Sequence, residues 1–266
     1  LKSLEDIVSM KNIFAVIIVN DPPFHLKAGK ELIESNKHIL IEKPLDTNID
    51  LIKEFISHSK KVKQTISVSG QYKYYPIFKK IKTKIDNGSY GELIFTNISM
   101  SLNRSISSYK KGNGWKLEFG NTALNHAVHY LDLVLFFFGK LDSYFISQNS
   151  SRKLLNCRDT CAILLKFCTG HMVTINATTA SAKTYPDIFT FVTKKRNYCI
   201  KIPRSVRSNR FFDLIRIIFL KKNPFDIQLD SFLKKAEKGT RDIESLERAS
   251  LAVEIASNYF STFKRI

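Results

Sequence analysis

The stretch IFAVIIVNDPPFHLKAGKELIESNKHILIEKPLDTN, residues 13–48, reads as strand, helix and strand in close succession. IFAVIIV, residues 13–19, is a short continuous apolar run rich in β-branched residues, the pattern of a strand covered on both faces. Asn20 to Pro23 end it, and a helix fits Phe24 to Ser35, with Leu26, Ala28, Leu32 and Ile33 as apolar positions. The next strand is His38 to Ile41. Beyond Lys43-Pro44, Thr47 is the expected N-cap of a helix reaching His58. A third strand fits Gln64 to Ser69. Strands alternating with helices of this length imply right-handed βαβ crossovers and a parallel sheet. Glu42 and Lys43 are costly to desolvate, yet they stand at the exit of a buried strand. In open α/β sheets the carboxyl ends of the strands are where ligands bind.

The sheet reads as one half of a dinucleotide-binding fold. Such a fold joins two mononucleotide-binding halves, and its first strand-to-helix turn carries a glycine-rich phosphate loop. None of the ten glycines belongs to a GxGxxG; Gly112 and Gly114 form a GxG, but Leu117 stands where the third glycine belongs. A partial helix near Leu1 precedes the first strand by only a few residues, whereas a βαβ unit takes roughly 30 or more. The expectation is an N-terminally truncated chain, residues 1–72 being the C-terminal half of a Rossmann domain.

Residues 73–266 read as a second domain. A helix from Tyr75 to Asn87 presents Ile77, Ile81 and Ile85 and closes at Gly88, and a strand fits Leu93 to Leu102. Asn103 to Lys116 is a long polar loop ending near the single tryptophan, Trp115. An apolar helix covers Asn121 to Phe138. Strands follow at Cys161 to Cys168 and Met172 to Ala180, joined by Thr169-Gly170-His171, and a hairpin at Ile188 to Thr193 and Tyr198 to Ile202. The last long helix runs from Ile243 to Phe263. The fold class is α/β plus α+β: a partial Rossmann domain followed by an open, mainly antiparallel sheet with helices on one face.

Composition bounds the reading. At 266 residues and 44% hydrophobic content the chain can fill one large core or two modest ones. No apolar run approaches the ~18–20 residues of a membrane span, and no secretory signal pattern is present, so the chain reads as soluble and cytoplasmic, with no membrane partner. Cys157, Cys161, Cys168 and Cys199 show no CxxC spacing, which suits a reducing compartment and offers no metal site. The formal charge is +18, and ten cations lie between Lys194 and Lys222 against one acid, Asp213. A phosphate-collecting face, a solvated lysine-rich face and an attractor of small anions all fit this segment. No zinc-finger or RRM motif accompanies it, so no nucleic-acid partner is expected.

Three polar residues interrupt the apolar helix at 121–138. Asn125, His129 and Asp132 fall at i, i+4 and i+7 and share one face. Singly, each reads as a satisfied buried polar group. Together, an imidazole, an amide and a carboxylate can bind and orient a hydroxyl that must lose a proton. His126 points off that face.

The EKP at Glu42-Lys43-Pro44 and the run GNTALNHAVHYLDLVLFFFG, residues 120–139, resemble the signatures of the Gfo/Idh/MocA oxidoreductases. PPFH at 22–25, GQYKYYP at 70–76 and NGSYGEL at 87–93 extend the resemblance over nearly the whole chain. It implies a Rossmann domain, an open-sheet domain whose face makes homo-oligomer contacts, and hydride transfer between NAD or NADP and a hydroxyl carbon of a sugar, cyclitol or nucleotide-sugar acid. It places Asn20, Pro22, His25, Glu42, Lys43 and Pro44 along the cofactor, and Lys43, Gln71, Trp115, Asn125, His129 and Asp132 at the substrate. Lys43 matches the family lysine beside the nicotinamide and His129 the family acid/base, with Asn125 as their catalytic companion. Asn125 stands where aspartate is common, and with Trp115-Lys116 it resembles the nucleotide-sugar-acid dehydrogenase subgroup. Asn20-Asp21 replaces a usual Thr-Pro, and Asn121 the second glycine of a usual pair. Arg104, Lys110, Lys111 and Lys116 are candidates for a substrate carboxylate or phosphate. The alternative is a non-catalytic sugar-binding or scaffolding homologue; a nucleic-acid binder ranks below both, because charge alone does not arrange Lys43 and the helix face.

Overall fold

The computed structural model describes residues 3–110, 115–118, 120–152, 157–202, 223–258 and 264–265. By packing, the chain divides into two compact units, Leu1–Tyr74 with Pro224–Glu254, and Tyr75–Asn223 with Ile255–Ile266. In this division residues 224–254 group with Leu1–Tyr74.

In the first unit a short helix, α1 (Leu4–Ser9), precedes β1 (Ala15–Ile18), α2 (His25–Glu34), β2 (His38–Ile41), α3 (Ile49–Ser59) and β3 (Ile66–Val68). The three strands are parallel in the order β1-β2-β3, with Ala15 opposite His38 and Ile39 opposite Ile66. Leu32 and Ile33 of α2, Ile52 and Phe55 of α3, and Ile39 and Ile41 of β2 form the core, each no more than 5% exposed. Gly29 lets α2 approach closely: a Cβ there would meet the Phe55 ring at 3.2 Å. The N-cap of α3 is Asn48, not Thr47. Asp46 Oδ1 accepts the N–H groups of Thr47 and Asn48 in a local turn, which leaves Asn48 Oδ1 to accept from Asp50 and Leu51.

β1 differs from the expectation of a strand covered on both faces. Phe14, Ile17 and Val19 are 49%, 46% and 69% exposed, and among the described residues β1 pairs on one side only. The opposite edge is closed. Two helices that pack with this unit, α8 (Pro224–Glu237) and α9 (Ile243–Ser257), bring side chains to β3: Ser245 Oγ accepts the Val68 N–H at 3.1 Å and Asp242 accepts from Ser67 Oγ at 2.7 Å. Pairing edge N–H groups with side chains blunts the strand as a template for further pairing. α8 was not foreseen from sequence, and α9 ends at Ser257; the expected continuation to Phe263 lies outside the described residues beyond 258.

The second unit begins with α4 (Pro76–Asp86), whose C-terminal turn uses Gly88 and Gly91 at φ 68° and 73°. β4 (Leu93–Ser101), the short helices α5 (Ile106–Tyr109) and α6 (Trp115–Glu118), and α7 (Val128–Phe138) follow, then β5 (Leu141–Asn149), β6 (Thr160–Phe167), β7 (Met172–Thr178), β8 (Asp187–Thr193), β9 (Asn197–Ile202) and β10 (Lys264–Arg265). They build one sheet ordered β10-β5-β6-β7-β4-β8-β9, antiparallel except for β4–β7. Period-2 burial along β6, β7 and β8 sends Ile163, Leu165, Val173, Ile175, Phe189 and Phe191 to one face. There Phe78 of α4 meets Phe189 at 5.4 Å between ring centroids, Tyr130 of α7 meets it at 5.5 Å, and the Tyr130 hydroxyl donates to the buried Asp187 carboxylate. The other face is half-polar: Thr174 Oγ1 donates to Asn97 at 2.8 Å, while Ile94, Phe95 and Met172 are exposed. A solvated second face is the usual condition of an antiparallel sheet. Of the expected 103–116 loop, residues 106–109 are helical because Ile106 and Tyr109 bury an apolar turn. Gly112 and Gly114 lie outside the described residues, as does the basic segment from 203 to 222.

Candidate functional site

In the first unit the carboxyl ends of three parallel strands bring together most of the residues singled out there. Asn20 follows β1; Glu42, Lys43 and Pro44 follow β2; Ser69, Gly70 and Gln71 follow β3. His25 opens α2 just after a turn built on Pro22, Pro23 and Phe24. Its ring is 1% exposed, with Nδ1 3.0 Å from the Pro44 carbonyl oxygen and Nε2 2.8 Å from that of Asn20. The imidazole thus ties the exit of β1 to the exit of β2. Pro22 is buried, and the Lys43–Pro44 peptide is cis.

Hydrogen bonds also fix the charged pair at this edge. Lys43 Nζ donates to Gln71 Oε1 at 2.8 Å and lies 5.7 Å from the centroid of the buried Tyr72 ring. Glu42 Oε2 accepts the Lys43 N–H at 3.1 Å and Oε1 accepts from Ser69 Oγ at 2.8 Å. Lys43 and Glu42 are half-buried, so the amine is held yet reachable. Asp46, two residues beyond Pro44, is 1% exposed; burial pushes its carboxyl up, against the N–H groups of Asn48, Thr47 and Leu26 and the nearby His25. Ser69 and Gln228, a contributor to the same network, were not predicted. Neither belongs to a motif, and Gln228 sits on the unforeseen α8.

In the second unit the helix expected over 121–138 starts irregularly. Ala123–Ala127 is a π turn in which the Val128 N–H reaches the Ala123 carbonyl, and regular α-helix begins at Val128. His129 and Asp132 therefore share a face at i, i+3, while Asn125 lies in the π turn, where the i, i+4 period expected from the sequence does not hold. Asn125, His126 and His129 are half-buried and Asp132 is buried at 9% exposure. π turns recur at functional sites because the extra residue re-aims side chains. Asn121, the departure from the family glycine pair, has work of its own: Oδ1 accepts the Leu124 N–H at 2.6 Å and Nδ2 donates to the Ala256 carbonyl at 3.2 Å. Gly120 is confined by close approach. A Cβ there would lie 2.6 Å from the Lys116 carbonyl oxygen and 2.7 Å from Asn125 Nδ2.

Trp115 is half-buried, with the Lys116 ammonium 5.9 Å from its ring centroid. Arg104 and Lys110 are exposed, and Lys111 lies outside the described residues. Among the described residues no group of His, Cys, Asp and Glu is arranged to hold a metal ion, and no helix is long and apolar enough to cross a membrane.

Residues 1–69 match the description "Oxidoreductase family, NAD-binding Rossmann fold", and residues 78–198 match "GFO/IDH/MocA C-terminal domain". The parallel three-stranded sheet falls within the first match and strands β4 to β8 within the second. The chain belongs to the Gfo/Idh/MocA oxidoreductase family. Among its relatives, the uncharacterized oxidoreductase YrbE of Bacillus subtilis is 26% identical over 176 residues, covering 64% of this chain and 50% of YrbE. The chain spans about half the length of the curated relatives it matches first. The crystal structure of myo-inositol 2-dehydrogenase from Lactobacillus plantarum superposes with a TM-score of 0.76 at 17% identity, over 96% of this chain and 80% of that one. The WlbA dehydrogenase from Bordetella pertussis, solved with NADH and UDP-GlcNAcA, gives 0.69 at 20% identity, over 75% and 63%. At these identities the structural likeness establishes the fold.

Proposed function

We propose that the chain belongs to an NAD- or NADP-dependent dehydrogenase that moves hydride between the nicotinamide and a secondary hydroxyl carbon of a sugar, cyclitol or nucleotide-sugar acid. The observation that carries this reading is the hydrogen-bonded set of Asn20, His25, Glu42, Lys43, Pro44 and Gln71 at the carboxyl ends of three parallel strands. That edge is where such sheets bind ligands. The donor set suits the nicotinamide end of a dinucleotide: carbonyls and amides at the rim and one held ammonium. No glycine-rich pyrophosphate loop occurs in the 266 residues, so these residues account for one end of the cofactor.

When bound, the nicotinamide would exchange hydride with the carbon that bears the hydroxyl. The chain's own part is proton handling and orientation. His129 takes the hydroxyl proton as the carbon is oxidised and returns it in the reverse direction. Lys43, in the first unit, is assigned to the nicotinamide side, where its ammonium would offset negative charge as it grows. Asn125 orients the hydroxyl with an amide that can donate and accept but cannot ionise. Gln71 of the first unit and Asp132 and Trp115 of the second are the further residues the resemblance assigns to substrate, with nucleotide-sugar acids the first candidates because Asn125 and Trp115-Lys116 resemble that subgroup. The half-polar face of the seven-stranded sheet is the surface proposed for homo-oligomer contacts. The inositol in the name of one solved relative and the UDP-GlcNAcA bound in the other guide the choice of substrates.

The test is NADH binding by calorimetry, on this chain and on the full reading frame that contains it, followed by turnover with inositols and UDP-sugar acids. Lys43→Ala and His129→Ala should each lower turnover by ~10²–10⁴-fold, the usual worth of a positioned proton-transfer group, while NADH binding persists. Absence of NADH binding in both forms overturns the dehydrogenase and leaves the sugar-binding or scaffolding homologue.

A further inference from the structure

Gln228 lies on α8, far from every motif in the sequence, yet both ends of its side chain reach the candidate site. It is 6% exposed. Its Oε1 accepts the Gly70 N–H at 2.9 Å, and its Nε2 donates to Ser69 Oγ at 2.9 Å. Each contact is one step from the charged pair. Ser69 Oγ donates onward to Glu42 Oε1 at 2.8 Å, and Glu42 Oε2 receives the Lys43 backbone N–H. Gly70 is followed by Gln71, whose Oε1 holds the Lys43 ammonium at 2.8 Å. Ser69 and Gly70 are buried.

We infer that Gln228 is a positioning residue for Lys43, holding its backbone through Ser69 and Glu42 and its amine through Gly70 and Gln71. The chemistry requires an amide. A carboxylate accepts from Gly70 but cannot donate to Ser69, and an aliphatic side chain does neither. The donor end sets polarity: because Nε2 occupies a lone pair of Ser69, the Ser69 proton is directed at Glu42 rather than elsewhere. The acceptor end satisfies a buried N–H that would otherwise lose its partner. A helix that no sequence motif marks thus contributes to this edge of the first unit.

The inference rests on the role proposed for Lys43, and its test does not depend on turnover. Competitive acylation of lysines, read by peptide mass spectrometry, reports how often the Lys43 amine leaves Gln71, with Lys53, exposed on α3, as the internal reference. Gln228→Leu should raise Lys43 labelling relative to Lys53 by roughly three- to tenfold, the range for one lost hydrogen bond. Gln228→Glu, which keeps the Gly70 arm but cannot donate to Ser69, should raise the ratio by less than Gln228→Leu does. Phe232→Leu, one turn further along α8 and 2% exposed in the parent, should lower the melting temperature and leave the labelling ratio unchanged. Labelling that is unchanged in Gln228→Leu, or raised equally by Phe232→Leu, would overturn the positioning role and make Gln228 a packing residue. If the labelling pattern holds but no dehydrogenase activity exists, the network stands and the proposed function alone fails.

Discussion

Replacing Gly120 by alanine tests how firmly the start of the Asn125–His129 helix is placed. Gly120 is buried, and an added Cβ would stand 2.6 Å from the Lys116 carbonyl oxygen and 2.7 Å from both Lys116 Cα and Asn125 Nδ2. These separations fall roughly 1 Å short of the ~3.5–4.0 Å at which non-bonded carbon contacts become attractive. Two of the three atoms are backbone and cannot rotate away, so α6 or the π turn must shift. Overpacking of this kind costs about 1–3 kcal/mol, which lowers the melting temperature by about 2–4 °C per kcal/mol in a domain of this size. The Asn125 amide moves with the turn. A misplacement near 1 Å typically costs about 10²-fold in rate, so turnover should fall by that order. NADH binding should be unchanged, because its proposed residues lie in the first unit. The assays are thermal melts, NADH calorimetry and steady-state kinetics on Gly120→Ala, with Asn125→Ala added in a double-mutant cycle to remove one of the three clashes. A Gly120→Ala protein that melts and turns over like the parent would refute the steric argument, and with it the claim that close approach fixes Asn125.

Ser245→Ala removes the acceptor for the Val68 N–H and leaves a buried donor unpaired, so urea unfolding should show a loss of about 1–3 kcal/mol; a loss near zero would mean that another group takes the bond. Burial holds the His38 and His171 imidazoles below their ordinary pKa. A base with a depressed folded pKa gains its proton more readily when unfolded, so its contribution to stability is complete above the unfolded value of about 6.5 and is lost as pH falls below it toward the folded value. The urea midpoint should therefore decline between about pH 7.5 and pH 5, a window set by the histidine reference value. His38→Gln, which can still accept the Thr65 N–H that His38 Nδ1 accepts at 2.9 Å, should shallow that decline; an unchanged slope would remove His38 from the account. Native-state alkylation should modify the exposed Cys168 and Cys199 and spare Cys157 and Cys161, since burial raises both buried thiols and pushes Cys161 up to about 12. Early labelling of Cys161 would show that β6 opens.

The elements legible in the sequence were those carrying their own signal. β2 was read without error because a histidine and three apolar residues lie between Lys37 and Glu42, and the β6–β7 hairpin because Gly170, at φ 84°, sits between two alternating runs. The site residues of the first unit were legible for a related reason: EKP and PPFH are local motifs at the ends of strands. The cap of α3 was missed by one residue because Asp46 captured two N–H groups from outside the helix, a competition that composition does not reveal. The π turn was missed because a regular period was assumed, and the Ala123–Ala127 segment holds no glycine or proline to mark the change. Gln228 and Ser69 carry no local signal at all, because their roles exist only through partners 27 to 159 residues away.

β1 and β2 show where such reading stops. IFAVIIV and HILI have the same apolar, β-branched pattern, yet Ile39 and Ile41 are 0% exposed while Ile17 and Val19 are 46% and 69% exposed. The residues do not differ in kind; their neighbours do. β2 has a strand on each side and β1 has one, so pattern records a strand's capacity for burial and topology decides how much is used. The same distinction applies to function. Lys43 has the side chain its motif predicts, but what holds that amine is Gln71, itself next to the Gly70 N–H pinned by a glutamine from a helix that no motif marks. Motif residues name the chemistry available at this edge, and the long-range hydrogen bonds determine whether that chemistry is held in place.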